Sequence, residues 1–201
     1  MKERYEWLDI SKGIAILLVV LGHAIQYYLY PIDYADSLSY RVIYSFHMPF
    51  FFFLSGLSSG FSNNPFFNKD NLKKKIKRLM IPYVAWGLIY LPANLLYKGW
   101  STNLMTDLFM NPPRFGLWYL YSLFFIWLFH TCILSITDKG KIRFVLYIFL
   151  YLLLLILASV LHGEGCINEI SKYFIFYVIG SEWCLHWNNG KTPPPITALY
   201  A

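Results

Sequence analysis

The stretch Phe144-Val-Leu-Tyr-Ile-Phe-Leu-Tyr-Leu-Leu-Leu-Leu-Ile-Leu-Ala-Ser-Val-Leu161 contains no charged residue along its whole length. A helix that crosses the hydrocarbon core of a bilayer needs about 20 mostly apolar residues. This stretch therefore predicts a membrane-spanning helix. Around it, 57% of the 201 residues are hydrophobic and only 14% are charged. That composition is typical of an integral membrane protein and excludes an ordinary soluble domain.

Other apolar segments of similar length lie on both sides of this stretch. Together with it they predict spans at roughly 10–30, 38–61, 79–97, 115–136, 142–161 and 170–187. The predicted fold is all-α, a polytopic transmembrane helix bundle of about six spans. Residues 1–187 are predicted to form one membrane-embedded domain. Residues 188–201 are polar and rich in proline, and we expect a disordered or aberrant tail there.

The distribution of basic residues predicts the orientation of the spans. Of the 17 lysines and arginines, thirteen fall on the cytoplasmic side if the N-terminus is cytoplasmic. The net charge of +6 is therefore explained by membrane topology, and we expect no nucleic-acid partner. The three cysteines and the segment His162–Cys166 lack the spacing of a metal site, so no metal is predicted.

The first predicted span carries two ionisable side chains, Lys12 and His23. Eleven residues at about 100° each bring them onto one face of a helix, about 16 Å apart along its axis. Asp9 extends the same stripe by three residues toward the cytoplasmic edge. Ionisable groups inside a bilayer are expensive and are kept mainly for function. The alternative is that Lys12 extends to the interface and His23 only packs against another helix.

The second predicted span contains His47, with Pro49 two residues later. Proline removes a backbone donor and predicts a kink beside the histidine. Ser45 and Ser55 flank this position, so the pattern favours a polar cavity within a bundle. A histidine can accept and return a proton near neutral pH, as acyl transfer to a hydroxyl requires. The alternative is a kink needed only for packing.

Two further groups have both an anchoring and a functional interpretation. The basic run Asn71–Arg78 lies before the third predicted span. It is either a topology anchor for anionic lipids or a docking patch for a phosphorylated ligand such as coenzyme A. Arg114 and Trp118 open the fourth predicted span on the outer side. They form either an interfacial anchor or the lip of an acceptor site.

Several motifs taken together resemble acyltransferase family 3, the integral-membrane O-acyltransferases, and within it the fucose 4-O-acetylase-like group. The motifs are Trp7-Leu-Asp-Ile-Ser-Lys-Gly13, Leu21-Gly-His23, Ser45-Phe-His-Met-Pro-Phe50, Phe53-Leu-Ser-Gly56, Arg78-Leu-Met-Ile-Pro82 and Leu117-Trp-Tyr-Leu120. Lys12 and His23 occupy the family's basic-x10-His positions, and Arg78 falls near its basic motif. Lys75 stands where that motif often begins with arginine.

The resemblance implies transfer of an acetyl group from cytoplasmic acetyl-CoA to a hydroxyl of a cell-surface glycan or lipid-linked sugar. Acetyl-CoA is then a substrate, and no bound cofactor is expected. The expected site residues are catalytic His23 and His47; acyl-CoA-binding Lys12, Lys75, Lys77 and Arg78; acceptor-binding Arg114 and Trp118; and supporting Asp9, Ser45 and Ser55. The expected location is the bacterial cytoplasmic (inner) membrane, with the lipid bilayer as a partner and a homo-oligomer as an open alternative.

Family members usually have more spans than this chain, so we expect a truncated product. One alternative to an active enzyme is therefore an inactive, truncated remnant. A proton-coupled membrane transporter or exporter of a glycan precursor is another, because intramembrane histidines and a proline-interrupted helix also suit a carrier.

Overall fold

The structure, a computed structural model, describes residues 5–29, 37–61, 66–98, 117–161 and 166–189. This part of the chain is helical and contains no strand, which confirms the all-α prediction. The helices are α1 (Glu6–Leu29), α2 (Leu38–Gly60), α3 (Lys69–Lys75), a π-helical turn (Ile76–Met80), α4 (Ile81–Lys98), α5 (Trp118–Ile136), α6 (Gly140–Val160) and α7 (Ile167–Asn189).

Four of these helices are long and apolar enough to cross a membrane: α1, α2, α5 and α6. They correspond to the first, second, fourth and fifth predicted spans, and the chain is a polytopic membrane protein. Helices α4 and α7 lie at the third and sixth predicted spans, but they are not among the helices that meet this measure in the described residues. The cytoplasmic placement of the N-terminus stays a prediction, and the predicted tail lies outside the described residues.

The chain forms two compact units, one of residues 1–63 with 176–201 and one of residues 64–175. In the first unit α1 packs against α2, and their contacts show that they run antiparallel. Lys12 near the start of α1 reaches Ser58 near the end of α2. Gln26 near the end of α1 accepts a hydrogen bond from Tyr44 in the first half of α2. The apolar core of this unit consists of Leu8, Ala15, Leu54, Leu57 and Cys184.

The C-terminal half of α7 packs backbone to backbone against α2. A Cβ atom at Gly56 would overlap the carbonyl oxygen of Tyr177, and one at Gly180 would overlap the carbonyl oxygen of Phe53. A Cβ at Gly60 would lie 2.6 Å from the Cβ of Cys184. Small residues permit such close approach of helices, which van der Waals contact then stabilises.

In the second unit α3, the π-helical turn and the start of α4 lie antiparallel to α5. Three contacts define the register: Phe67 with Ser135, Lys75 with Trp127, and Tyr83 with Tyr121. Helix α3 begins at Lys69, where the Asn68 side chain caps its first turn, and the third predicted span at 79–97 corresponds to α4. The basic run precedes α4, as predicted, and is itself helical and packs along α5.

Helices α5 and α6 form a hairpin that encloses His130. Its ring is fully buried and stacks parallel to Tyr147 of α6, with 5.6 Å between centroids. Tyr147 in turn meets the edge of Phe174 from the first turns of α7. No role was predicted for His130, and the structure places it in aromatic packing between the helices.

Cys166 precedes α7 and is fully buried, with a φ angle of 58°. That left-handed conformation is uncommon for a residue with a side chain. Burial raises the pKa of the Cys166 thiol to about 12. The thiol therefore stays protonated near neutral pH and is not a nucleophile.

Substitution of Gly56 by alanine tests the close packing of α2 on α7. We expect Gly56→Ala to lower the free energy of unfolding by about 1–3 kcal/mol, because a methyl group must push two backbones apart. Thermal unfolding in detergent micelles, followed by circular dichroism, measures this loss. Gly13→Ala is the matched control, because a Cβ there meets nothing within 4 Å and alanine favours the helix. Equal stability of the two variants would contradict the contact.

Candidate active site

The antiparallel pairing of α1 with α2 brings His23 and His47 together in the first unit. Gly22 lies against the ring of Tyr44, where a Cβ atom would approach Tyr44 Cε2 to 2.9 Å. Tyr44 also meets His47 edge to face, with 4.6 Å between ring centroids. The imidazole of His23 lies close enough for its charge to act on His47. The pairing of α1 with α2 therefore places His23 beside His47.

The two histidines differ in exposure and in hydrogen bonding. His47 is 3% exposed, whereas His23 is exposed. His47 Nδ1 lies 2.7 Å from the carbonyl oxygen of Ile43, one turn earlier in α2. A carbonyl can only accept, so Nδ1 must carry the proton, and a neutral His47 presents the lone pair of Nε2. The buried ring is thus fixed in one tautomer, and the exposed ring is the one that a substrate can reach.

Lys12 lies on the same side of α1 as His23, but at the other end of the helix pair. Its Nζ donates a 2.9 Å hydrogen bond to Ser58 Oγ. The buried positions of α1, Leu8, Ala15 and Gly22, recur every seven residues along the neighbouring face. Lys12 and His23 therefore lie beside the α1–α2 interface, on one face of α1, as their spacing predicts.

The predicted supporting residues take different positions. Asp9 is exposed, and Ser55 is half-buried on α2. Ser45 is exposed, and its hydroxyl donates to the carbonyl oxygen of Val42 in its own helix. Helix α2 continues from Leu38 to Gly60 through Pro49, so the proline does not end it.

The predicted acyl-CoA-binding residues other than Lys12 lie in the second unit. Lys75 ends α3 half-buried, and its Nζ lies over the ring of Trp127 at 5.5 Å from the centroid. Lys77 and Arg78 belong to the π-helical turn, and both are exposed. Turns of this kind are rare and occur often at functional sites. Of these three predicted residues, one packs on α5 and two are exposed.

Trp118, the predicted acceptor contact, is the first residue of α5. It is half-buried and stacks on Tyr173 of α7, with 5.6 Å between centroids. Arg114 lies outside the described residues.

Four side chains that were not predicted contact predicted site residues: Tyr44, Ser58, Trp127 and Tyr173. Ser58 had a weak signal, because it continues the small-residue pattern of Ser55 and Gly56 along α2. Trp127 and Tyr173 had none that separates them from other aromatic residues, since aromatic residues make up 20% of the chain. Their partners are far apart in sequence and become apparent only in the folded structure.

Comparison with known proteins gives a family. Residues 5–199 match a sequence profile described as an acyltransferase domain. Two relatives are both named Nodulation protein NolL. The one from Mesorhizobium japonicum is 40% identical over 81 residues, which are 39% of this chain and 21% of the relative. The one from Sinorhizobium fredii is 37% identical over 90 residues, which are 43% and 24%. The chain thus covers less than a quarter of each relative. No solved structure matches.

The contact between Lys75 and Trp127 is testable as a coupling energy. An ammonium over a partly desolvated indole contributes about 0.5–2 kcal/mol, so a double-mutant cycle of Lys75→Gln with Trp127→Leu should give a coupling of that size. Unfolding in mixed micelles measures the four free energies. The control is Lys74→Gln with Trp127→Leu, because Lys74 is an exposed neighbour in the same helix. If both pairs gave the same coupling, Lys75 would not pack on Trp127.

Proposed function

Because this chain belongs to the acyltransferase family whose profile spans residues 5–199, we propose that it acts as a membrane O-acetyltransferase. It moves an acetyl group from cytoplasmic acetyl-CoA to a hydroxyl of a cell-surface glycan or a lipid-linked sugar. The observation that carries this proposal is the placement of exposed His23 beside buried His47 at the α1–α2 interface. A positioned imidazole can take a proton from a hydroxyl and return it, which suits acyl transfer.

In the proposed reaction His23 acts as the general base. Its unprotonated ring nitrogen takes the proton of the acceptor hydroxyl while the hydroxyl oxygen attacks the thioester carbonyl carbon. The carbon–sulfur bond then breaks, and the proton held by His23 neutralises the departing thiolate of coenzyme A. The products are an acetyl ester and free coenzyme A, and atoms and charge balance.

The proposed task of His47 is to orient His23. Its Nδ1 is held by the Ile43 carbonyl, so Nε2 of the neutral ring accepts a hydrogen bond and cannot donate one. An acceptor beside His23 favours the imidazolium that forms when His23 takes a proton. The same geometry argues against an oxyanion-stabilising role for neutral His47, since that role requires a donor.

The proposed donor contacts are the exposed side chains Lys77 and Arg78 in the second unit. They suit the phosphate groups of acetyl-CoA, because arginine and lysine form short, charge-assisted hydrogen bonds with phosphate. Lys75 packs on Trp127, so we propose that it positions this turn. Lys12, in the first unit, is proposed separately as an acetyl-CoA-binding residue. Replacing Lys12 with alanine tests this role independently of Lys77 and Arg78.

The proposed location is the bacterial cytoplasmic membrane, with the donor site on the cytoplasmic side. Acetyl-CoA is bound as a substrate and not as a resident cofactor. Trp118, together with Arg114, is the proposed acceptor contact. The partners are the lipid bilayer and a glycan or lipid-linked sugar.

Replacement of His23 tests the catalytic proposal. His23→Ala should lower acetyl transfer by about 10²- to 10⁴-fold, the usual contribution of a general base. The assay follows labelled acetyl groups from acetyl-CoA to membrane glycans, with this chain and with a full-length family member changed at the aligned histidine. His186→Ala is the control, because His186 is an exposed histidine near the C-terminal end of α7. Full activity in His23→Ala, or proton-coupled sugar export without any acetyl transfer, would contradict the proposal.

Charge removal from the π-helical turn tests donor binding. The double variant Lys77→Gln, Arg78→Gln should raise the KM for acetyl-CoA about tenfold or more and leave kcat nearly unchanged, because phosphate contacts are alike in ground and transition states. Initial rates at varied acetyl-CoA measure both constants. The control, Lys73→Gln with Lys74→Gln, removes the same charge from exposed positions of α3. An equal rise in KM for both double variants would indicate attraction by overall charge and not a site.

A further inference from the structure

An aromatic pair joins α5 to α7 in the second unit. Trp118 and Tyr173 stack with 5.6 Å between centroids and 26° between planes. Each ring is only half-buried, so stacking leaves part of each aromatic surface uncovered. Tyr121, one turn after Trp118, is also half-buried and rests on Tyr83, which is 1% exposed. Tyr121 is thus backed by a buried ring, one helical turn from Trp118.

A carboxylate lies near Tyr173 of this pair. Glu169 precedes Tyr173 by four residues in α7, and residues at that spacing share one face of a helix. Glu169 is half-buried, and it is close enough to act electrostatically on both Tyr173 and Cys166. The other charged side chain nearby in α7 is Lys172, which is exposed. A half-buried carboxylate, which accepts hydrogen bonds, therefore lies on the same helix face as Tyr173.

We propose that Trp118, Tyr173 and Glu169 form a binding platform for a neutral hexose unit of the acceptor. The C–H face of a pyranose ring is apolar and can pack on an aromatic face. Pockets for small ligands commonly combine aromatic walls with a few polar groups in this way. The ring hydroxyls donate to the Glu169 carboxylate. A uronic acid would place a second negative charge beside Glu169 and is disfavoured. This inference rests on the proposed function, because only that function makes the bound sugar an acceptor of the acetyl group.

The platform is tested by sugar binding without acetyl-CoA. The full chain in nanodiscs is titrated with the methyl glycosides of glucose, galactose and mannose, and binding is followed by saturation-transfer NMR. We expect at least one of them to bind, and Tyr173→Leu to weaken that binding about tenfold through loss of ring contact. Glu169→Gln should weaken it by a similar factor, and Tyr173→Phe should keep most of it. Methyl glucuronide should bind less tightly than the glucoside.

Trp183→Leu is the matched control, since Trp183 is an exposed aromatic residue elsewhere on α7. Circular dichroism of every variant establishes that helicity is retained. The platform is overturned if no neutral glycoside binds, if Tyr173→Leu and Glu169→Gln bind as well as the unchanged chain, or if the glucuronide binds as tightly as the glucoside. Failure of the proposed function gives a different result: sugar binding that depends on Tyr173, with no acetyl transfer in the separate assay.

Discussion

Lys12 of α1 donates a hydrogen bond to Ser58 of α2, and further along the same pair Gly22 lies against the ring of Tyr44. These two contacts fix the antiparallel register of α1 and α2. A shift by one helical turn would separate the contacts at both ends and move His23 about 5 Å along its partner. The chemistry proposed for this unit therefore depends on a packing relation that involves one glycine and one serine, neither of which takes part in it.

In the second unit, contacts between neighbouring helices also set the register, but through different side chains. Its register is held by contacts spaced along α5, from Ser135 near one end to Tyr121 near the other. Between them Lys75 packs on Trp127, the midpoint of α5 and about 14 Å from either end of that helix.

The sequence predicted the helices well, because a bilayer imposes a length and a composition that a single chain displays openly. It also predicted that Lys12 and His23 share a side of α1, since a helix has a fixed rotation per residue. The pairing of helices was not predictable in this way. Gly22 meets Tyr44, and Lys75 meets Trp127, through contacts for which no local pattern exists. The short helix α3 was not predicted, because its polar composition resembles a loop between spans.

The π-helical turn at Ile76–Met80 has a consequence for how this part of the chain varies. Such a turn holds one residue more than an α-helical turn, so it rotates everything that follows about the helix axis relative to everything before it. Deleting one residue there would restore a regular helix and turn Tyr83 away from Tyr121 without breaking the rod. Relatives that differ in length by a single position at this point would thus keep both helices while presenting another face of α4 to the partner helix.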